Sequence, residues 1–89
     1  MPEPSSLTDT DRRVLSYLQD SGADYPALVA GNTGVHIPLV ERRISVLVEY
    51  GLLERVTGES VYRITADGES ALASFDGGTE VGRSTADAE

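Results

Sequence analysis

The stretch IPLVERRISVLVEYGLLERV, Ile37 to Val56, decides how the chain folds. Pro38 suits a first helical turn, where its missing amide proton would have no partner in any case. Val40, Ile44, Leu47 and Gly51 then recur at helical spacing and form a stripe. Read alone, ISVLV also suits a buried strand, because β-branched residues dominate it. Length decides for a helix: the period runs from Ile37 to Tyr50, too long for an ordinary strand. Gly51 supplies the C-terminal turn, and LLERV opens a different kind of element.

Downstream, Leu52 to Val56 and Ser60 to Ile64 flank Gly58-Glu59, a glycine-first pair suited to a type II′ turn. In that register Leu53 faces Ile64, Glu54 faces Arg63, Arg55 faces Tyr62 and Val56 faces Val61, so a favourable charge pair falls across the strands. Thr65 can cap a last helix, with Asp67 and Glu69 in the first turn where the helix dipole favours negative charge. Gly68, Leu72 and Phe75 give that helix its inner face. Upstream, Thr8 caps a first helix with Asp11 reaching back as in a capping box. Val14, Leu15 and Leu18 form its apolar side, Tyr17 its edge, and Gly22 its stop. Pro26 opens a second, short helix with Leu28, Val29 and Ala30 as its apolar side, and Gly31 to Gly34 (GNTG) turns the chain.

The predicted fold is mainly α with a small β-hairpin (α+β), in the order helix-helix-helix-strand-strand-helix, which is that of a winged helix-turn-helix. Residues 1–6 are predicted to be a mobile arm and residues 7–75 the folded domain. Residues 76–89, rich in Gly, Ser/Thr and acids, are predicted to be a disordered acidic tail. There is no internal repeat.

Composition narrows the function. Eighty-nine residues, 39% hydrophobic, support one small core but leave little room for a large ligand cavity. Cysteine is absent, which removes disulfides, thiolate zinc sites and cysteine nucleophiles. One histidine, His36, is too few for a histidine metal cluster. His36 also lacks an identifiable nucleophile partner, and there is no GxxxxGK phosphate loop, so no enzyme, cofactor or small-molecule substrate is expected. MPEPSS lacks the features of a secretory signal, and no stretch reads as a membrane span, so a cytoplasmic protein is expected.

The formal net charge is -8, and all seven basic residues are arginine. The acidity is uneven. Residues 36–63 balance Arg42, Arg43, Arg55 and Arg63 against Glu41, Glu49, Glu54 and Glu59, while the carboxylate excess lies on either side. An acidic, lysine-free composition suits a halophilic archaeon, although genomic GC bias also replaces lysine with arginine. The segments LTDTDRRVLSYL, VERRISVLVEYGLLERV and VYRITADGESAL together resemble the haloarchaeal winged-helix regulators related to the phage phi-H repressor, across about Leu7 to Leu72. The resemblance implies transcriptional regulation by double-stranded DNA binding, repressor-like, with palindromic sites calling for a homodimer. Two departures stand out. His36-Ile37-Pro38-Leu39 replaces the Ser-Arg-Ser type of opening to the third helix, and the wing carries Glu59 with no arginine at its tip.

In such a motif the N-terminal part of the third helix enters the major groove. Arg42 falls almost opposite the buried stripe and Arg43 on its flank, so both are expected to reach out to guanine or phosphate, unless they are solvated or laid along the core edge. His36, Ile37 and Leu39 stand at the opening, Ile37 and Leu39 suited to thymine methyls or else to internal packing, and His36 to a turn or cap. Arg55, Thr57, Gly58 and Ser60 form the candidate wing contacts, with Arg55 either stacked on Tyr62 or swung toward DNA. Arg12 and Arg13 are expected to pair locally with Asp9 and Asp11. About four phosphate contacts would cost on the order of a millionfold in affinity between 0.1 M and about 4 M salt. Recognition in a salty cytoplasm would therefore lean on base edges, apolar contact and trapped cations. The rival reading is a winged-helix module for protein interaction or dimerisation without DNA contact, which the overall acidity favours.

Overall fold

The computed structural model describes residues 7–79 and the side chains of residues 7–74. Expectations for residues 1–6 and 80–89, and for the Phe75 side chain, lie outside the described residues. The elements are α1 (Asp9–Ser21), β1 (Ala23–Asp24), α2 (Pro26–Thr33), α3 (Ile37–Glu49), β2 (Leu53–Arg55), β3 (Tyr62–Ile64) and α4 (Ala66–Thr79). The strands form an antiparallel sheet in the order β1-β3-β2. This is the winged helix-turn-helix arrangement, α+β, with one strand more than the sequence predicts.

Core and caps follow the sequence pattern. Val14, Leu15 and Leu18 of α1 meet Val40, Ile44 and Leu47 of α3 in one buried cluster, which Leu52 of the α3–β2 corner, Leu53 of β2 and Leu72 of α4 close. The apolar stripes of the two helices are what bring them together, since burying each such side chain contributes about 1.5–3 kcal/mol. Thr8 forms the expected capping box: its hydroxyl accepts from the Asp11 amide at 3.1 Å, and Asp11 Oδ2 accepts from the Thr8 amide at 2.9 Å.

The short helix α2 departs from expectation in two ways. It continues through Gly31-Asn32-Thr33 instead of turning there, because Asn32 Nδ2 donates to the Leu28 carbonyl and Thr33 Oγ1 to that of Val29, tying the last turn back on itself. Only Gly34, with φ of 77°, closes it. Leu28 is half exposed while Val29 and Ala30 are buried. Three consecutive residues span about 200° of a helix, so they cannot share one face.

The hairpin register is the predicted one, with Leu53↔Ile64, Glu54↔Arg63 and Arg55↔Tyr62 paired. Arg63 and Glu54 form the cross-strand ion pair. The turn differs. Glu59 N donates to Val56 O at 3.1 Å and Val56 N to Val61 O at 2.8 Å, so the tight turn is Val56 to Glu59 inside a longer loop. Gly58, at φ of 80°, serves as its third residue, where a type II turn needs positive φ, and not as the second residue of a type II′ turn.

The extra strand, β1, lies along β3 with Ala23↔Arg63 and Asp24↔Tyr62. Tyr17 of α1 donates its hydroxyl hydrogen to Asp24 Oδ2, and Asn32 Nδ2 donates to the Tyr17 oxygen at 3.2 Å, so one phenol links α1, β1 and α2. The bond to Asp24 holds the Tyr17 phenol above its ordinary pKa, because ionisation would set two negative groups face to face.

At the other end, Thr65 Oγ1 accepts from Gly68 N at 2.9 Å as the cap of α4 and donates to Gly51 O at 2.7 Å. A Cβ on Gly68 would stand 2.1 Å from Leu52 O, so α4 rests on the α3–β2 corner with only a hydrogen between them. The helix runs on to Thr79, past Phe75, where the folded domain was expected to end. Gly77 and Gly78 weaken a helix by about 1 kcal/mol each relative to alanine but do not forbid one.

Candidate nucleic-acid interface

The Asp11 side chain is fully buried and draws in a residue from the third helix. Arg43 Nε and Nη2 donate to Asp11 Oδ1 and Oδ2, each at 2.7 Å, a bidentate pair across thirty-two positions of sequence. With the Thr8 amide, three charge-assisted bonds converge on one carboxylate. Only 20% of the Arg43 side chain stays exposed, and the bond to Asp11 raises its pKa further, so it is a fixed cation. The expectation that Arg43 reaches outward is therefore corrected: it ties α3 to the first turn of α1. Asp11 in turn is not the partner of Arg12 or Arg13. Both of those pair with Asp9 at 3.0 Å on the exposed side of α1, and Asp9 is held below the usual carboxylate range, first by the hydrogen bond from Arg12.

What α3 presents outward is different. Residues follow one another by about 100° around a helix, so Pro38, Glu41, Arg42, Ser45 and Glu49 fall on the arc away from Val40, Ile44 and Leu47. All five are exposed. Ile37 adds a 45% exposed apolar side chain at the N-terminal end, and Leu39 is half buried at the margin. Among the described residues, Ile37, Pro38, Glu41, Arg42 and Ser45 make no side-chain hydrogen bond or ion pair. His36 is the backbone N-cap of α3 and is exposed, but its side chain caps nothing. Pro38, Glu41 and Ser45 were missed by the sequence reading, which followed the arginines; the same helical wheel that placed Arg42 would have found them.

The wing stands beside this arc. Thr57, Gly58 and Ser60 are exposed. Arg55 Nε donates to Glu59 O at 2.9 Å, so Arg55 braces the wing turn from beneath. Between wing and helix lies a groove of about 310 Å³, lined by Glu41, Ile44 and Ser45 of α3, Ser60 and Tyr62 of the wing, and Pro26 of α2.

Electrostatics sharpen the picture. Of the four arginines in residues 36–63, Arg43 and Arg63 are paired with carboxylates. Arg42 and Arg55 carry no ion pair among the described residues, against Glu41, Glu49 and Glu59. The face is thus slightly acidic rather than neutral. No group of three or more metal-ligating side chains occurs among the described residues, and none of their helices is long and apolar enough to cross a membrane.

Comparison with known proteins places this geometry. The family model described as "Uncharacterized protein conserved in archaea (DUF2250)" matches residues 5–72. No curated protein matches the chain. Among solved structures, the oxidised form of MarR from E. coli superposes with a TM-score of 0.72 at 20% identity, over 83% of this chain. The chain spans 56% of the length of that structure. At that identity the likeness concerns the winged-helix fold.

Proposed function

We propose that this chain, which belongs to the archaeal conserved family DUF2250, is a sequence-specific double-stranded DNA-binding transcriptional regulator, repressor-like and cytoplasmic, that lays α3 in the major groove. The observation that carries the reading is the outward arc of α3: exposed, free of side-chain bonds among the described residues, bearing Arg42, with the partly exposed Ile37 at the N-terminal end of the helix, and flanked by a braced wing. A helix held from behind by Arg43 and open in front is the geometry a base-reading element needs. In this reading Arg42 contacts guanine or phosphate, Ile37 and Leu39 touch thymine methyls, and Arg55, Thr57, Gly58 and Ser60 approach the flanking backbone, with His36 beside them. The shared fold with MarR supports it. A homodimer would present two such helices to a palindrome. The arginine-only, acidic composition fits a salt-adapted relative of the haloarchaeal phi-H type regulators.

Selection from a random duplex pool in molar KCl tests the proposal. A defined motif should emerge, and Arg42→Ala should weaken binding to it by about tenfold or more with the fold intact. NMR shifts on adding that duplex should gather at Ile37 to Arg42 and the wing. The slightly acidic face favours a second reading, a protein-interaction module. Shifts confined to α1 or α4, with no motif selected, would overturn the DNA reading in favour of that alternative.

A further inference from the structure

We infer that Glu41 is a specificity-determining residue that reads cytosine in the major groove, an inference that rests on the DNA-binding role proposed above. Glu41 is exposed on the outward arc of α3, one residue from Arg42 and one turn from Ile37 and Ser45, at the mouth of the groove between helix and wing. Among the described residues it forms no ion pair, although Arg42 is its neighbour and Arg55 lies on the facing wing.

An ionised carboxylate is an acceptor only. Phosphate oxygens and the guanine edge in the major groove are acceptors too, so Glu41 finds only repulsion there. The donors the groove offers are the amino groups of cytosine N4 and adenine N6. Adenine places its N7 acceptor beside that donor, which opposes a carboxylate, whereas the cytosine amino group adjoins a C–H. Cytosine is therefore the base that Glu41 accepts from at least cost. Arg42 has the reverse preference, for the paired acceptors O6 and N7 of guanine. Two neighbouring side chains of opposite charge, about 100° apart on one helix, thus suit adjacent positions rich in G·C pairs. A face with few free cations among the described residues gains little from the backbone, which puts the weight of recognition on such base-edge contacts.

The experiment compares the motifs selected by the wild-type chain and by Glu41→Gln and Glu41→Ala from the same duplex pool, with circular dichroism melts confirming that each variant folds. The wild type should fix a cytosine at one position. Glu41→Gln, which can pair bidentately with adenine N6 and N7, should shift that position toward adenine, and Glu41→Ala should lose the preference, each changing cytosine discrimination by about tenfold. If both variants bind every sequence more tightly with the motif unchanged, Glu41 only repels phosphate and the inference is overturned while the DNA-binding role stands. If the wild type selects no motif, the role itself fails, and the inference with it.

Discussion

Replacing Asp11 with alanine should strongly destabilise this domain. The variant loses the two 2.7 Å bonds from Arg43 and the 2.9 Å bond from the Thr8 amide, and it leaves a guanidinium that is 80% covered without its counter-ion. Breaking a buried pair from one side costs about 3–5 kcal/mol. The lower end applies here, because Arg43 keeps one edge in solvent and can partly swing out. The lost capping box adds about 1 kcal/mol. About 4 kcal/mol is a large share of the roughly 5–15 kcal/mol available to a small domain, and it corresponds to a fall of about 16–32 °C in melting temperature. Urea unfolding followed by circular dichroism, at low and at molar KCl, measures it in a cycle with Arg43→Met and the double variant. The double variant should be more stable than Asp11→Ala alone, since no stranded charge remains, and the coupling should survive salt because the pair is buried. Additive losses below about 1 kcal/mol each would refute the argument and return Arg43 to solvent.

Gly68→Ala should destabilise by about 1–3 kcal/mol despite alanine's better helix propensity, because the new Cβ meets the Leu52 carbonyl at 2.1 Å; a thermal melt checks the sign. The Tyr17 phenol, held above its ordinary value by Asp24, contributes stability that is complete below the unfolded pKa of about 10 and is lost as pH rises through the higher folded value. Absorbance titration near 295 nm should therefore show a late phenol that vanishes in Tyr17→Phe. With Arg42 and Arg55 as the arginines of the α3–wing face that carry no ion pair among the described residues, the fall in duplex affinity from 0.1 M to about 4 M KCl should be about a thousandfold, against the millionfold of four contacts. A steeper slope in a KCl titration by fluorescence anisotropy would mean that cations elsewhere reach the backbone.

Much of the scaffold was legible because its signals are local. The α3 stripe, the Thr8 and Thr65 caps and the hairpin pairing each rest on residues a few positions apart, and alternation across two strands leaves one register that puts Leu53 inward. The wing turn was misread because a glycine's positive φ serves either the second or the third turn position, and the loop's length decides which. Strand β1 escaped because two residues, Ala23 and Asp24, carry no alternation; its partner on β3 alone makes it a strand. Arg43 escaped for a related reason. Asp11 already had a sufficient local role in the capping box, and nothing in linear spacing announces that the same carboxylate also receives a guanidinium from thirty-two residues away. Outward Arg42 and inward Arg43 look alike until the helix is set against α1.

That division of labour bears on how a chain with the proposed role could diverge. Glu41, Arg42 and Ser45 make no side-chain hydrogen bond or ion pair among the described residues, while Val40, Arg43, Ile44 and Leu47 anchor the helix. Lettering on the outer arc can therefore be rewritten one position at a time without endangering the scaffold, so related chains could acquire new targets through neutral steps, and a designer could retarget this one by the same route.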